Sequence, residues 1–181
     1  MVNWTGLTIP PQEADFKRLL NQWWSWSIKK PYKPLYMTLF GDWILEDENG
    51  KIDILDVVEG DIKAIAVSRE EFDKVMAEEA NLEKWFSNSF VTALKSKGIA
   101  RAPGQCFGYK IHPAIGGAFE AANLTPLYIK VWQAISGQIH RQLRQAPEGT
   151  RFCRLEKGEG LEIRLVTERD NVMDPAKDAV T

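Results

Sequence analysis

The chain has 181 residues, a hydrophobic content of 44% and a net charge of −2. These values are typical of one globular domain with its own core, and they exclude the disordered and fibrous classes. The net charge also argues against a nucleic-acid-binding surface, because such a surface needs clustered excess Lys and Arg.

The N-terminal sequence and the cysteines predict a cytoplasmic protein. The first 16 residues contain no basic segment followed by an apolar run, so we expect neither a signal peptide nor a transit peptide. No apolar run approaches the ~20 residues needed to cross a bilayer, so a membrane is not an expected partner. Cys106 and Cys153 lie in different segments without metal-type spacing, which favours free thiols in a reducing cytosol.

An amphipathic helix over residues 11–25 is the first predicted element. Its apolar residues recur at helical spacing, and two prolines suit its first positions. The Pro- and Lys-containing stretch 27–34 cannot continue the helix and is the best candidate for an internal boundary. We therefore predict three parts: 1–34 as an N-terminal helical segment, 35–167 as the α+β domain and 168–181 as a loose tail.

A β-meander is predicted between residues 36 and 67. Asn49 and Gly50 form a dipeptide that is favoured in tight hairpin turns. In the strand that follows, Ile52 and Ile54 alternate with charged residues, as expected when one face of a sheet is buried and the other meets water. This pattern places the charged residues on the exposed face and in the turns.

Eight acidic residues lie between positions 42 and 61 of this meander, against the single base Lys51. Charge runs usually form a solvated face, and the alternative is a surface that recognises a partner. We call these eight carboxylates the acidic cluster, and Trp26 is a further candidate because exposed tryptophans anchor interfaces. The members of the acidic cluster are Asp42, Glu46, Asp47, Glu48, Asp53, Asp56, Glu59 and Asp61.

The remaining sequence predicts helices and short strands. A capping box starts one helix at Ser68, and a second helix is predicted over 81–97. A strand at 126–131 leads into a helix over 132–145, and residues 151–166 have the pattern of a hairpin. The predicted fold class is α+β: a largely antiparallel sheet, made of the meander and the C-terminal hairpin, packed against about four helices.

Few residues suggest catalysis. Cys106 and His112 would be too far apart on one strand for a hydrogen bond, unless the chain folds back. His140 borders the apolar stripe of the last helix, where a histidine usually packs its ring and bonds a backbone carbonyl or a carboxylate. No residues have the spacing of a zinc site or an EF-hand, so we predict no metal and no cofactor. The alternative to a protein without catalytic activity is a small enzyme or ligand-binding protein with a cleft near Tyr109, His112 and His140.

Motifs between residues 39 and 140 resemble a bacterial domain family linked to type VI secretion immunity proteins. They are Leu39–Asp42, Leu55–Asp56 with Glu59–Gly60, Gly108–Lys110, Ile115–Gly117 with Asn123, and Ile135–His140. In some members of the family this domain follows a GAD-like module, and residues 1–34 are a candidate for its shortened equivalent. The resemblance implies a non-enzymatic immunity protein, or antitoxin, that binds and blocks a cognate secreted effector, in one branch a nuclease.

The resemblance supplies no catalytic residues. Its motif residues are therefore expected to determine the fold, and they include Gly108, Tyr109, Gly116, Gly117, Asn123, Gly137 and His140. The sequence leaves a third function open, an adaptor or scaffold of the Smi1/Knr4 type whose partner is an endogenous protein. It also leaves open the oligomeric state and the surface that binds the partner.

Overall fold

Five antiparallel strands form the main sheet. The computed structural model describes residues 4–172, and the strands of the sheet lie in the order β1-β2-β3-β4-β5. Each strand pairs with the next one in sequence, as the predicted meander requires. The bounds are β1 (Thr8–Ile9), β2 (Tyr32–Thr38), β3 (Trp43–Asp47), β4 (Ile52–Asp56) and β5 (Asp61–Ala66).

Helices and two smaller antiparallel pairs complete the fold, which confirms the α+β class. Residues 4–172 contain six α-helices, against the four or so that were predicted. The helices are α1 (Phe16–Trp24), α2 (Arg69–Met76), α3 (Glu79–Phe86), α4 (Asn88–Ser96), α5 (Ile129–Gln145) and α6 (Glu168–Val172). The strand pairs are β6 (Gln105–Tyr109) with β7 (Leu124–Tyr128), and β8 (Phe152–Lys157) with β9 (Ile163–Thr167).

One of the additional helices arises because the predicted helix over 81–97 is broken. Ser87 adopts a left-handed conformation with φ of 46°, which ends α3. The Glu83 carboxylate then accepts hydrogen bonds from the backbone N–H of Ser89 at 2.8 Å and from its hydroxyl at 2.6 Å. These bonds satisfy the first turn of α4, so the chain restarts as a separate helix.

The N-terminal segment contributes to the same sheet and core as the residues that follow it. Strand β1 pairs with β2, and β2 begins at Tyr32, before the predicted boundary at residue 34. Helix α1 packs against α5. At the other end, the predicted loose tail begins with α6, and residues 173–181 lie outside the described residues.

The side chain of Gln133 joins α5 to α1 and to the sheet. Its Oε1 accepts hydrogen bonds from the indole N–H groups of Trp24 at 2.7 Å and Trp43 at 2.8 Å. Its Nε2 donates to the carbonyl of Gly41 at 2.7 Å. All three side chains belong to residues with no exposed surface. Because buried polar groups need partners, this arrangement specifies how the three elements pack.

Two further glutamines of α5 hold the C-terminal hairpin. Gln138 accepts a hydrogen bond from the backbone N–H of Ile163 and donates to the carbonyl of Leu161. One turn later, Gln142 accepts from the N–H of Leu165 and donates to the carbonyl of Ile163. The two amides occupy hydrogen-bonding positions that a neighbouring strand would otherwise supply to β9.

Candidate functional site

A cavity of about 280 Å³ lies between the main sheet, α3 and β6. It combines carboxylates, ammonium groups and aromatic rings in one space. The acids come from the turn before β3, from the end of β4 and from the turn that follows β4, whereas the aromatic rings come from four separate parts of the chain. Its lining residues include Phe40, Asp42, Asp56, Glu59, Lys63, Lys84, Trp85, Tyr109 and Phe119.

Asp42 lies in the cavity wall with both carboxylate oxygens engaged. One oxygen accepts a hydrogen bond from the hydroxyl of Thr38 at 2.8 Å, and the other accepts from the backbone N–H of Val57 at 2.9 Å. Burial and the neighbouring charge of Asp56 nevertheless raise the pKa of Asp42 to about 7. Asp42 is therefore partly protonated at neutral pH.

Asp56 presents one carboxylate oxygen to the cavity. Its Oδ1 accepts backbone hydrogen bonds from Val58 at 2.9 Å and Glu59 at 3.0 Å, which fold the β4–β5 turn. Its Oδ2 faces the ammonium group of Lys63 at 3.6 Å. Lys63 lies closer to Glu59, at 2.5 Å, and this hydrogen bond raises the pKa of Lys63. Glu59 therefore neutralises Lys63 more directly than Asp56 does.

Tyr109 forms part of the cavity wall. The residue is only 5% exposed, and its ring stacks on Phe119 with centroids 5.7 Å apart. Among the described residues, no group forms a hydrogen bond with the Tyr109 hydroxyl. Burial, followed by the charges of Asp42 and Asp56, raises the pKa of Tyr109, so the phenol stays protonated.

The acidic cluster was predicted to lie on the exposed face of the sheet and in the turns, and this prediction is wrong for Asp47 and Asp53, which are buried. Asp47 is 8% exposed and Asp53 is 3% exposed. Lys30 binds both, with its Nζ 2.5 Å from Asp47 and 3.2 Å from Asp53. The Tyr32 hydroxyl donates to Asp53 at 2.5 Å, and its pKa is raised to about 12, first by burial. These carboxylates are occupied within the fold.

The other members of the acidic cluster lie nearer the surface. Glu48, Glu59 and Asp61 are exposed, as expected, and Asp61 forms an ion pair with Arg144. Glu46 is partly buried, 3.5 Å from Arg69 and 3.8 Å from Lys33, whereas Asp42 and Asp56 line the cavity.

Trp26 is partly buried rather than fully exposed. It stacks on Trp24 with ring centroids 5.9 Å apart and donates its indole N–H to the carbonyl of Trp23. The guanidinium of Arg144 lies over its ring at 5.3 Å. A partner-binding role for Trp26 stays a prediction.

His112 and His140 face one backbone carbonyl and do not line the cavity with Tyr109. The Nε2 atoms lie 3.3 Å and 3.2 Å from the oxygen of Val57. His112 Nδ1 accepts from the N–H of Ala114, so its proton is on Nε2 and is donated to Val57. Burial lowers the pKa of both, to about 4 for His112. The predicted three-residue cleft is therefore not formed as one site.

The loop that carries Phe119 is folded by motif residues of the resemblance. The Asn123 amide accepts from the N–H of Ile111 at 3.1 Å and donates to the carbonyls of Ile111 and Ala118. A Cβ atom at Gly117 would lie 1.9 Å from the Ile111 oxygen, so this close approach requires glycine. Gly116 adopts a left-handed conformation, with φ of 95°.

Two other motif glycines lie where α5 closely approaches another part of the chain. A Cβ atom at Gly108 would lie 2.8 Å from the ring of Trp132, and one at Gly137 would lie 2.5 Å from the carbonyl oxygen of Trp23. That these motif residues determine the fold stays a prediction.

Between residues 4 and 172, no group of three or more His, Cys, Asp or Glu side chains is placed to hold a metal ion. No helix in the described part of the chain is long and apolar enough to cross a bilayer.

Comparison with known proteins supports the resemblance seen in the sequence. Residues 66–140 match the family model described as "T6SS immunity protein Tdi1, C-terminal", which confirms the similarity to type VI secretion immunity proteins. The matched segment runs from the end of β5 into α5 and includes Tyr109 and both histidines. No curated protein matches the chain.

The fold also resembles a solved structure, "Crystal structure of Atu4351 from Agrobacterium tumefaciens". The TM-score is 0.51 at 17% sequence identity, and the match covers 68% of this chain and 63% of that chain. This chain therefore spans less than two thirds of that protein, and at this identity the likeness concerns the fold alone.

Proposed function

We propose that this protein is a non-enzymatic immunity protein that binds a cognate secreted effector in the cytoplasm and blocks it. The observation that carries the proposal is the family match over residues 66–140. The proposal is also supported by the protonation of the cysteine thiol and by the hydrogen bonding of the two histidines. Burial raises the pKa of the Cys106 thiol, which disfavours a nucleophilic thiolate, and both histidines are directed at the Val57 carbonyl.

The effector in this proposal is a nuclease, and the mechanism is steric occlusion of its active site. A nuclease binds its substrate through a basic surface, because nucleic acids carry dense negative charge. The exposed acids of the meander, Glu48, Glu59 and Asp61, offer the complementary charge. Such complementarity mainly accelerates association and selects the partner.

Affinity capture from the native host tests the proposal. The tagged protein is captured at low salt, the bound proteins are identified by mass spectrometry, and each is co-expressed with this chain in a sensitive strain. We expect one stoichiometric effector whose toxicity this chain suppresses. A stoichiometric partner that is an endogenous, non-toxic protein would instead support an adaptor or scaffold of the Smi1/Knr4 type.

Charge neutralisation tests the proposed surface once that effector is in hand. We expect the triple variant Glu48→Gln, Glu59→Gln, Asp61→Asn to associate more slowly and with a weaker dependence on salt. The matched control removes three exposed acids of the C-terminal part, Glu148, Glu159 and Glu162. Equal association rates for the two triple variants, measured by stopped flow, would exclude the meander acids from the interface.

A further inference from the structure

The cavity between the main sheet, α3 and β6 contains chemistry that the proposed function does not use. Aromatic side chains of Phe40, Trp85 and Phe119 line it together with the carboxylates of Asp42 and Asp56. Aromatic faces and carboxylates both attract cations, the first through the ring quadrupole and the second through charge. These side chains therefore favour a cation over an anion.

The two lysines of the lining do not cancel this preference. Lys63 is paired with Glu59 at 2.5 Å. Lys84 is exposed and lies at the rim, with its Nζ 4.4 Å from the centroid of the Trp85 ring. Lys63 is also 3.6 Å from Asp56 Oδ2, so two acids share its charge, and the lining as a whole contains three carboxylates against two ammonium groups.

Two polar groups of the wall are also without partners. Tyr109 is 5% exposed, and its hydroxyl, which is not a fully buried atom, forms no hydrogen bond with any described residue. The indole N–H of Trp85 is a buried atom with no hydrogen-bond partner among the described residues. A buried polar group without a partner, such as the Trp85 N–H, is uncommon in folded proteins, and an accessible hydroxyl without one is free to bond a ligand.

We propose that this cavity binds an organic cation that carries a guanidinium or primary ammonium group on a short alkyl stem. The charged group lies between Asp42 and Asp56, where Asp56 Oδ2 has only the distant Lys63 as a partner. It donates a hydrogen bond to the Tyr109 hydroxyl oxygen, and the stem packs against the aromatic rings. The volume of about 280 Å³ suits one such group, since pockets for drug-sized ligands measure roughly 300–1,000 Å³.

Binding of this cation depends on pH. The pKa of Asp42 is raised to about 7 by burial and by Asp56, and a bound cation favours the ionised carboxylate. Binding therefore releases protons, and affinity rises between pH 6 and pH 8. The other charged or titratable groups that face Asp42 across the cavity are Asp56, Glu59, Lys63, Lys84 and Tyr109.

Titration of the whole chain with butylguanidinium tests the site, and butylurea serves as its neutral analogue of the same shape. The indole N–H signal of Trp85 is followed by NMR in ¹⁵N-labelled protein. We expect butylguanidinium to shift this signal saturably and butylurea to leave it unchanged. A Trp85 signal that does not move with butylguanidinium, or that moves equally with both compounds, overturns the proposal.

Two variants locate the site. Tyr109→Phe removes only the hydroxyl and is expected to weaken butylguanidinium binding roughly tenfold, because a hydrogen bond to a charged group is lost. Tyr128→Phe is the matched control, since Tyr128 is 58% exposed and lies outside the cavity. Lys84→Gln removes an exposed positive charge at the rim, which does not threaten folding, and is expected to strengthen binding. Unchanged affinity in Lys84→Gln and in a folded Tyr109→Phe protein overturns the assignment.

The cation has two sources, a free small amine or a basic side chain of a partner protein. Protection assays with the effector distinguish them. Loss of protection in Tyr109→Phe identifies an arginine or lysine of the effector as the natural occupant, whereas full protection together with lost butylguanidinium binding identifies a free ligand. The NMR titration uses this chain alone, so a failure to find any effector leaves its result intact.

Discussion

Replacing Gln133 by leucine should destabilise the protein strongly, because one amide serves three buried groups. Gln133→Leu leaves the indoles of Trp24 and Trp43 and the carbonyl of Gly41 without their hydrogen bonds. Each orphaned buried group costs about 1–3 kcal/mol, so the lower limit for three is about 3 kcal/mol. That is a large part of a typical stability of about 5–15 kcal/mol.

Urea denaturation followed by circular dichroism measures this loss. Gln145→Leu is the control, because Gln145 is exposed at the end of the same helix, and it should change stability by less than about 0.5 kcal/mol. In a Trp24→Phe background, Gln133→Leu should cost less, since one of the donors is already absent. A loss below about 1 kcal/mol for Gln133→Leu would show that the three contacts do not hold the layers together.

Two further predictions concern buried charge. Because burial lowers the pKa of His112 to about 4, the unfolded chain takes up the proton first, and the stabilising contribution of neutral His112 is lost as pH falls from about 6.5 to 4. The difference in unfolding free energy between the wild type and His112→Gln should therefore shrink in that interval, and urea titrations at several pH values measure it. Lys30→Met should melt several degrees below its neighbour control Lys29→Met, because Asp47 and Asp53 lose their shared counter-ion. Differential scanning calorimetry compares the two, and equal melting temperatures would contradict the reasoning.

Local signals in the sequence located several elements well. The Ser68 half of the capping box forms as predicted, since the Ser68 hydroxyl accepts from the N–H of Glu71 at 3.2 Å, whereas the Glu71 carboxylate accepts from the N–H of Val67, one residue before the cap. The meander is also correct, because alternation and turn residues act over a few positions. Helix α5 begins at Ile129 rather than near residue 132, since Ile129 and Trp132 also satisfy helical spacing.

Non-local contacts account for what the sequence did not predict. Alternation in β4 was interpreted as one buried and one wet face, yet Ile52, Asp53, Ile54 and Leu55 are all buried. The partners that make burial of Asp53 tolerable come from a segment some twenty residues upstream, which no local pattern reveals. The cavity was missed for the same reason, because strands, turns, α3 and a loop each contribute part of its wall.

The structure changes how the acidic cluster can be tested for function. Neutralising Asp47 or Asp53 removes a partner of Lys30 inside the fold, so any loss of effector binding would report damage to the fold as well as a lost contact. Neutralising Asp42 or Asp56 alters the cavity instead. Only Glu48, Glu59 and Asp61 are exposed members of the cluster. An association experiment on these three avoids the core, and a variant restricted to Glu48 and Asp61 also avoids the cation site, because Glu59 lines the cavity and pairs with Lys63.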